Sequence, residues 1–449
     1  MNAPFRRGAC PALSAPMPTG DGLLIRLSPA GTIALDTCAG LCAAARDHGN
    51  GIVEVTARGS IQVRGLTAAS APAFARAVVM LGIDGRSHVP VIADPLAGLA
   101  PDTALDADAL AAALRDALAA TALVARLNPK VSVAVDGGTA LHLDALAADV
   151  RLRAELGHER SHLHIALGGD AATAVPIGRV APEHAVEAVM RLLAVLATYG
   201  RDARAHDLIH SVGTGALRAA AADLLTDAPA PRARPPAEPI GTHRLHDGLT
   251  ACGLGLPFGH TDATALRQLV EAAESAGAVG IRTAPGRALL IVGIAPAMAS
   301  ALGAAAERLG FIVSPADPRR HIAACSGMPL CASAQAPTRT LGPAVAIAAA
   351  SLFDGSLTLH LSGCAKGCAH ARAAVLTMVG EPGACGVVVN GAACDRTLGS
   401  IPGNALPSRL ARLASEVEHA RRPDERAADT LSRLGAARIV AILQEAGRG

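Results

Sequence analysis

Residues 22–66 and 248–294 repeat one pattern: "GLLIRLSPAGTIALDTCAGLCAAARDHGNGIVEVTARGSIQVRGL" and "GLTACGLGLPFGHTDATALRQLVEAAESAGAVGIRTAPGRALLIVGI". Each reads as a β-run, a turn, an amphipathic helix, then two β-runs joined by a tight turn at "TARGS" or "TAPGR". Thr56 and Thr283 are equivalent points. Further on, "VSVAVDGG" pairs with "LTLHLSGC" and "HIALGGDAATAVPIG" with "VVVNGAACDRTLG", and a helical segment follows each member of the latter pair. Shared element order argues against chance similarity in an alanine-rich composition. A chain duplicated this way should fold as a pseudo-twofold object with a cleft at the junction of its halves, where catalytic sites commonly lie. Between the copies, "TDAPAPRARPPAEPIG" (226–241) is proline-rich without apolar periodicity and reads as a linker.

The chain of 449 residues is long enough for several cores, but only six side chains are aromatic, so Ala, Leu and Val must fill them. A formal charge of +2, with no basic run interleaved with aromatics, gives no sign of nucleic-acid binding. There is no uncharged apolar stretch of spanning length, and the first twenty residues lack a secretory core, so a soluble cytoplasmic protein is expected. In such a compartment the ten cysteines are not expected to pair as disulfides. Cys10, Cys38, Cys42 and Cys252 read as small core residues, and Cys385 and Cys394, flanking a strand, likewise.

Four cysteines are different. Cys325 and Cys331 in "AACSGMPLCASA" have five residues between them, and Cys364 and Cys368 in "SGCAKGCAH" have three. At the matching places the first copy has "IADPLAGLAP" and "AVDGGTALHL", without cysteine. Four soft thiolates on two loops after strands suit an iron–sulfur cluster or zinc. Structural zinc usually uses tighter knuckles, so the cluster is the better match to this spacing.

These motifs resemble the nitrite and sulfite reductase family, where Cys-x5-Cys and Cys-x3-Cys hold a four-iron, four-sulfur (4Fe-4S) cluster beside a sirohaem; "VTARGSIQVRGL" is similar to that family's first hairpin. The resemblance implies an α+β, internally duplicated fold with two ferredoxin-like half-domains and two larger α/β domains related by a pseudo-twofold. It implies a first half-domain at 1–90, a first α/β domain without cluster cysteines at 91–225, the linker at 226–241, a second half-domain at 242–312, and the cluster-bearing α/β domain at 313–449. Within the family, "RRGACPALSAPMPTGDGLLIRL", "GLGLPFGHTDA" and "LSGCAKGCAHA" resemble the oxygen-dependent hydroxylases of aerobic cobalamin synthesis.

The departures decide between the two branches. Of four basic side chains that surround the reductases' bound anion, the hairpin arginine matches Arg58 and one lysine matches Lys130 in "LNPKVSV". The other two fall on Ser132 and Val89. Reducing a small anion relies on that concentrated positive field. Its dilution disfavours sulfite or nitrite reduction with sirohaem and leaves a cavity suited to a tetrapyrrole, whose carboxylates call for arginines. The hydroxylase resemblance implies hydroxylation of precorrin-3A at carbon 20 with γ-lactone formation, consuming O2 and NADH. Arg58, Arg64, Lys130, Arg282 and Arg287 are the candidate substrate contacts; for Arg64, Arg282 and Arg287 a solvated surface position is equally consistent with the sequence. With no Gly-x-Gly-x-x-Gly fingerprint, NADH is expected to act weakly or through a partner reductase. A mononuclear non-haem iron is implied as well, commonly held by two histidines and a carboxylate. His260, with Asp262 nearby, is the first candidate ligand, ahead of His370, His162 and His164. A non-catalytic iron–sulfur or tetrapyrrole-binding protein is the alternative of another class.

Lys366 is one of two lysines, with Lys130, in a chain of thirty-eight arginines. It lies between two cluster cysteines, where the reductases generally have asparagine. A compact ammonium there would stabilise the reduced cluster and raise its potential, which makes Lys366 a candidate catalytic residue beside Arg58 and Lys130.

Overall fold

A computed structural model describes residues 11–83, 89–101, 103–155 and 161–445; Cys10 lies outside them. The chain divides into two compact units, one built mainly from 24–254 and 262–309, the other from 310–449 with the short segments 18–23 and 255–261.

In the first unit both repeated hairpins are formed. Ile52–Val55 pairs antiparallel with Ile61–Leu66, and Gly280–Ala284 with Ala288–Ile294. Their turns meet: the Gly286 N–H donates to the Ala57 carbonyl at 3.0 Å. The helices that precede them, Leu35–His48 and Ala263–Ser275, pack on each other, and Ile33 bridges Ile281. Gly59, at φ 82°, closes the first turn beside the Ala284 backbone, where both its left-handed conformation and the lack of a side chain are needed.

The same unit carries a five-stranded sheet. Val91–Ala93, Val133–Asp136 and Ala148–Glu155 run parallel, and His162–Gly169 and Val175–Val180 continue antiparallel. The second unit repeats this topology with Ile322–Ala324, Leu359–Ser362 and Ala374–Glu381 parallel, then Ala384–Gly391 and Gly399–Pro402 antiparallel. With so few aromatics, both cores are largely aliphatic, with Phe258 and Phe353 the aromatic members of the second. Leu114, Val133, Ile165 and Leu193 fill one; Ile322, Leu359, Leu410 and Leu443 fill the other. Parallel neighbours end at the same sheet edge, so loops leaving their C-terminal ends emerge side by side. That edge positions the cysteines.

The 226–241 segment is more than a spacer. Thr226 exchanges backbone hydrogen bonds with Arg179 at 2.9 Å, and the Arg234 guanidinium is bonded to both Asp136 and Asp144, at 2.6 Å from Asp144 Oδ1. His142 Nε2 meets the Pro235 carbonyl at 2.8 Å. The proline-rich stretch is thus strapped along the first α/β sheet. Fixed proline φ values keep its ordering cost low, and one half-buried arginine supplies the fastening.

Candidate functional site

Cys325 directly follows Ile322–Ala324, and Cys364 comes two residues after Leu359–Ser362, the parallel neighbour. Their loops are tied three times. The Gly363 N–H donates to Cys325 Sγ at 3.1 Å, the Gln335 N–H to the Gly363 carbonyl at 2.7 Å, and Lys366 Nζ to Ser333 Oγ at 2.9 Å. Cys325, Cys331 and Cys364 are half-buried and Cys368 is exposed. An amide aimed at sulfur stabilises a thiolate, and the lack of a side chain at Gly363 lets Ala334 pack within 2.8 Å of where its Cβ would be. Among the described residues, no three of these thiols are drawn within 4.8 Å of one another. Around a tetrahedral zinc, sulfurs about 2.3 Å from the metal would sit about 3.8 Å apart. The donor set, soft and spread over two linked loops, fits a cluster better than a single ion.

The first copy keeps this architecture with different chemistry. Asp94 follows Val91–Ala93 as Cys325 follows its strand, and Asp94 Oδ2 accepts the Gly137 N–H at 2.8 Å, the counterpart of the Gly363 bond. Thr139 Oγ1 donates to Asp94 Oδ1 at 2.6 Å. Burial raises the Asp94 pKa to about 6, against the pull of Thr139 and Gly137. Since the folded value lies above the unfolded one, its contribution to stability is full below about pH 4 and is lost as pH rises through about 6. Asp94→Asn should flatten the dependence of the urea midpoint on pH across that window while leaving a similar slope elsewhere.

A small polar recess open to solvent lies in the first unit, lined by Ser28, Arg58, Ser60, Asp94, Arg115 and Arg282 among others. Arg58 is half-buried, donating to the Ala147 carbonyl at 2.8 Å and to Ser132 Oγ at 2.9 Å. Ser132, aligned with a reductase lysine, therefore does stand beside the hairpin arginine. Lys130 is exposed on the preceding turn and is not among the residues lining this recess.

The other arginines correct the surface reading. Arg282 is only 7% exposed, and its guanidinium is a clamp: Nε bonds Thr32 Oγ1 at 2.8 Å, Nη1 the Ala97 carbonyl at 2.8 Å, and Nη2 pairs with Asp108 at 2.8 Å. Little of it is left for a substrate carboxylate. Arg64 is buried and paired with Glu54 at 3.3 Å. Arg287 is half-buried at φ 64°, rare for a residue with a side chain, and burial pulls its pKa down with Glu54 opposing.

The histidines also differ from expectation. His260 is buried with its ring 6.2 Å from that of Phe258, and Asp262 is the N-cap of Ala263–Ser275, accepting the Thr264 N–H at 2.7 Å. No three-donor group around His260 is drawn within 4.8 Å among the described residues; the one that is, Asp136, His142 and Asp144, already embraces Arg234. His164 pairs with Glu155 at 2.7 Å. His370 lies edge-on to His360, ring centroids 5.7 Å apart, and His360 is fully buried under the Cys364 loop. Sequence reading passed over His360 because a strand position signals only packing.

Residues 15–81 match the nitrite/sulfite reductase ferredoxin-like half domain. The "Structure of Mycobacterium tuberculosis NirA protein" superposes with TM-score 0.74 over 93% of this chain and 84% of that one at 21% identity, a shared fold. A sulfite reductase [ferredoxin] 2 of Mycolicibacterium paratuberculosis is 32% identical, but over only 35% of this chain and 30% of its own length. Precorrin-3B synthase of Sinorhizobium sp is 39% identical over 99% of this chain and 96% of its own. Agreement at that level across almost the whole of both sequences places the chain in the precorrin-3B synthase family.

Proposed function

We propose that this protein is an oxygen-dependent precorrin-3A hydroxylase, forming precorrin-3B by oxygenation at carbon 20 with closure of a ring A acetate to a γ-lactone. The observation that carries this reading is the full-length similarity to precorrin-3B synthase. NADH is the electron source, directly or through a partner reductase. Cys325, Cys331, Cys364 and Cys368 hold a 4Fe-4S cluster, which when bound supplies one-electron transfer. The chain's own groups do the rest. The Gly363 N–H steadies the Cys325 sulfur, Lys366 brings a positive charge between Cys364 and Cys368, and Arg58 offers its guanidinium to the carboxylates of the tetrapyrrole.

Sulfite reduction is the weaker reading because two of the four cationic positions are now Ser132 and buried Val89, and Arg58 spends two donors on Ser132 and Ala147. The test is aerobic incubation with precorrin-3A and reductant. The expected product carries one added oxygen atom from O2; sulfite consumption without that product would reverse the assignment. Lys366→Gln should move the cluster midpoint to a more negative potential in an EPR-monitored titration, since the reduced, more negative state loses its counter-charge. An unchanged midpoint would assign Lys366 to loop tethering alone.

A further inference from the structure

The motif "PTGDG", residues 18–22, plays no part in the chemistry above, yet it folds onto the cysteine loop of the second unit. The Gly20 carbonyl accepts the Ala332 N–H at 2.8 Å, next to Cys331. Asp21 Oδ2 accepts the Ser326 hydroxyl at 3.1 Å, next to Cys325, and Asp21 Oδ1 accepts from Thr19 Oγ1 at 2.7 Å. The turn therefore grips the Cys325–Cys331 loop beside each of its two thiols. Gly20 itself lies against Cys331: a Cβ there would fall 2.2 Å from Cys331 Sγ and 3.3 Å from Ser333 Oγ. Its backbone is not left-handed, so close approach to sulfur, rather than conformation, is what requires glycine.

A thiol pair with five intervening residues spans too much chain to orient itself within one turn, whereas the three-residue spacing of Cys364 and Cys368 is local. We propose that the Thr19–Gly22 turn is a positioning element of the cluster site, fixing Cys331, covering its face from solvent and oxygen, and placing the Asp21 carboxylate near the cluster. This rests on the reading that the four thiols hold a cluster. A negative charge beside the Cys325–Cys331 loop disfavours the reduced state and so lowers the potential.

The experiment uses the full chain, wild type, Gly20→Ala and Asp21→Asn, reconstituted anaerobically with ferrous iron and sulfide. Gly20→Ala should lose iron to a chelator at least about tenfold faster and bleach faster in air. Asp21→Asn, which keeps the shape, should fold normally and shift the cluster midpoint to a more positive value, so the proposal stays testable if the alanine variant misfolds. Variants that match wild type in iron, sulfide, bleaching and midpoint overturn the role of the turn while leaving the cluster in place. A wild-type chain that takes up no sulfide overturns the cluster reading and this proposal with it.

Discussion

Cys325→Ser is expected to empty the cysteine loops of iron and sulfide while leaving the sheet beneath them intact. The thiol stands just past the end of a strand, and the loop after the neighbouring parallel strand supplies the Gly363 amide 3.1 Å away, which orients it. A serine oxygen is a harder and far less acidic donor, and it retreats from the position the sulfur reaches. Retained iron and labile sulfide should fall at least about tenfold, more than the loss of an outer hydrogen bond causes. Far-UV circular dichroism should be unchanged, because the hydrophobic core of that unit is untouched. Cys385→Ser provides the contrast. That thiol is buried in the core, and burial and then Glu381 raise its pKa to about 11, so it carries its proton near neutrality. Serine there should leave iron content at the wild-type level.

The second large effect is expected at Arg234→Ala. Arg234 holds Asp136, whose side chain is 1% exposed, together with Asp144 at 2.6 Å. Burial opposes ionisation of Asp144, but its bonds to Arg234 and the charges of Arg234, His142 and Arg153 outweigh that and lower its pKa. Removing the guanidinium leaves the buried Asp136 carboxylate with the Gly138 and Leu143 N–H groups but no counter-charge bonded to it, a loss of about 3 kcal/mol read from the urea midpoint. Arg153 and Arg151, 3.7 and 3.9 Å from Asp144, soften the loss at that residue but do not replace the bonds to Asp136. Asp144 contributes stability above the unfolded carboxylate pKa, and this is lost as pH falls through its lowered folded value. The variant should therefore differ most from wild type near neutrality and converge with it in acid. Arg234→Lys should recover only part, since one ammonium cannot bridge two carboxylates as a planar fork does.

What was legible in the sequence was local or periodic. The duplicated β-run, helix and hairpin announced the half-domain architecture, and cysteine spacing pointed to the two loops that the structure ties together, because each pattern is contained in a few dozen residues. What escaped notice depended on partners far along the chain. Asp21 finds Ser326 across 305 positions, Arg282 finds Thr32 across 250, and Arg234 finds Asp136 across 98. An arginine in an alanine-rich strand or a proline-rich stretch reads as solvated until its buried carboxylate is seen. Asp262, noted beside His260, caps a helix N-terminus. Asp94 is the instructive middle case: the alignment of "IADPL" with "AACSG" located it opposite Cys325, but only the paired amide bonds reveal that the two copies kept one acceptor and changed its element from oxygen to sulfur.

The measurement that bears most directly on the cysteine site is iron and acid-labile sulfide per chain, with the visible spectrum, on protein purified without exposure to air. Sulfide equal to about four per chain, a broad sulfur-to-iron charge-transfer absorption and no sirohaem band are the expected result. One tightly held zinc per chain with no labile sulfide would contradict the account.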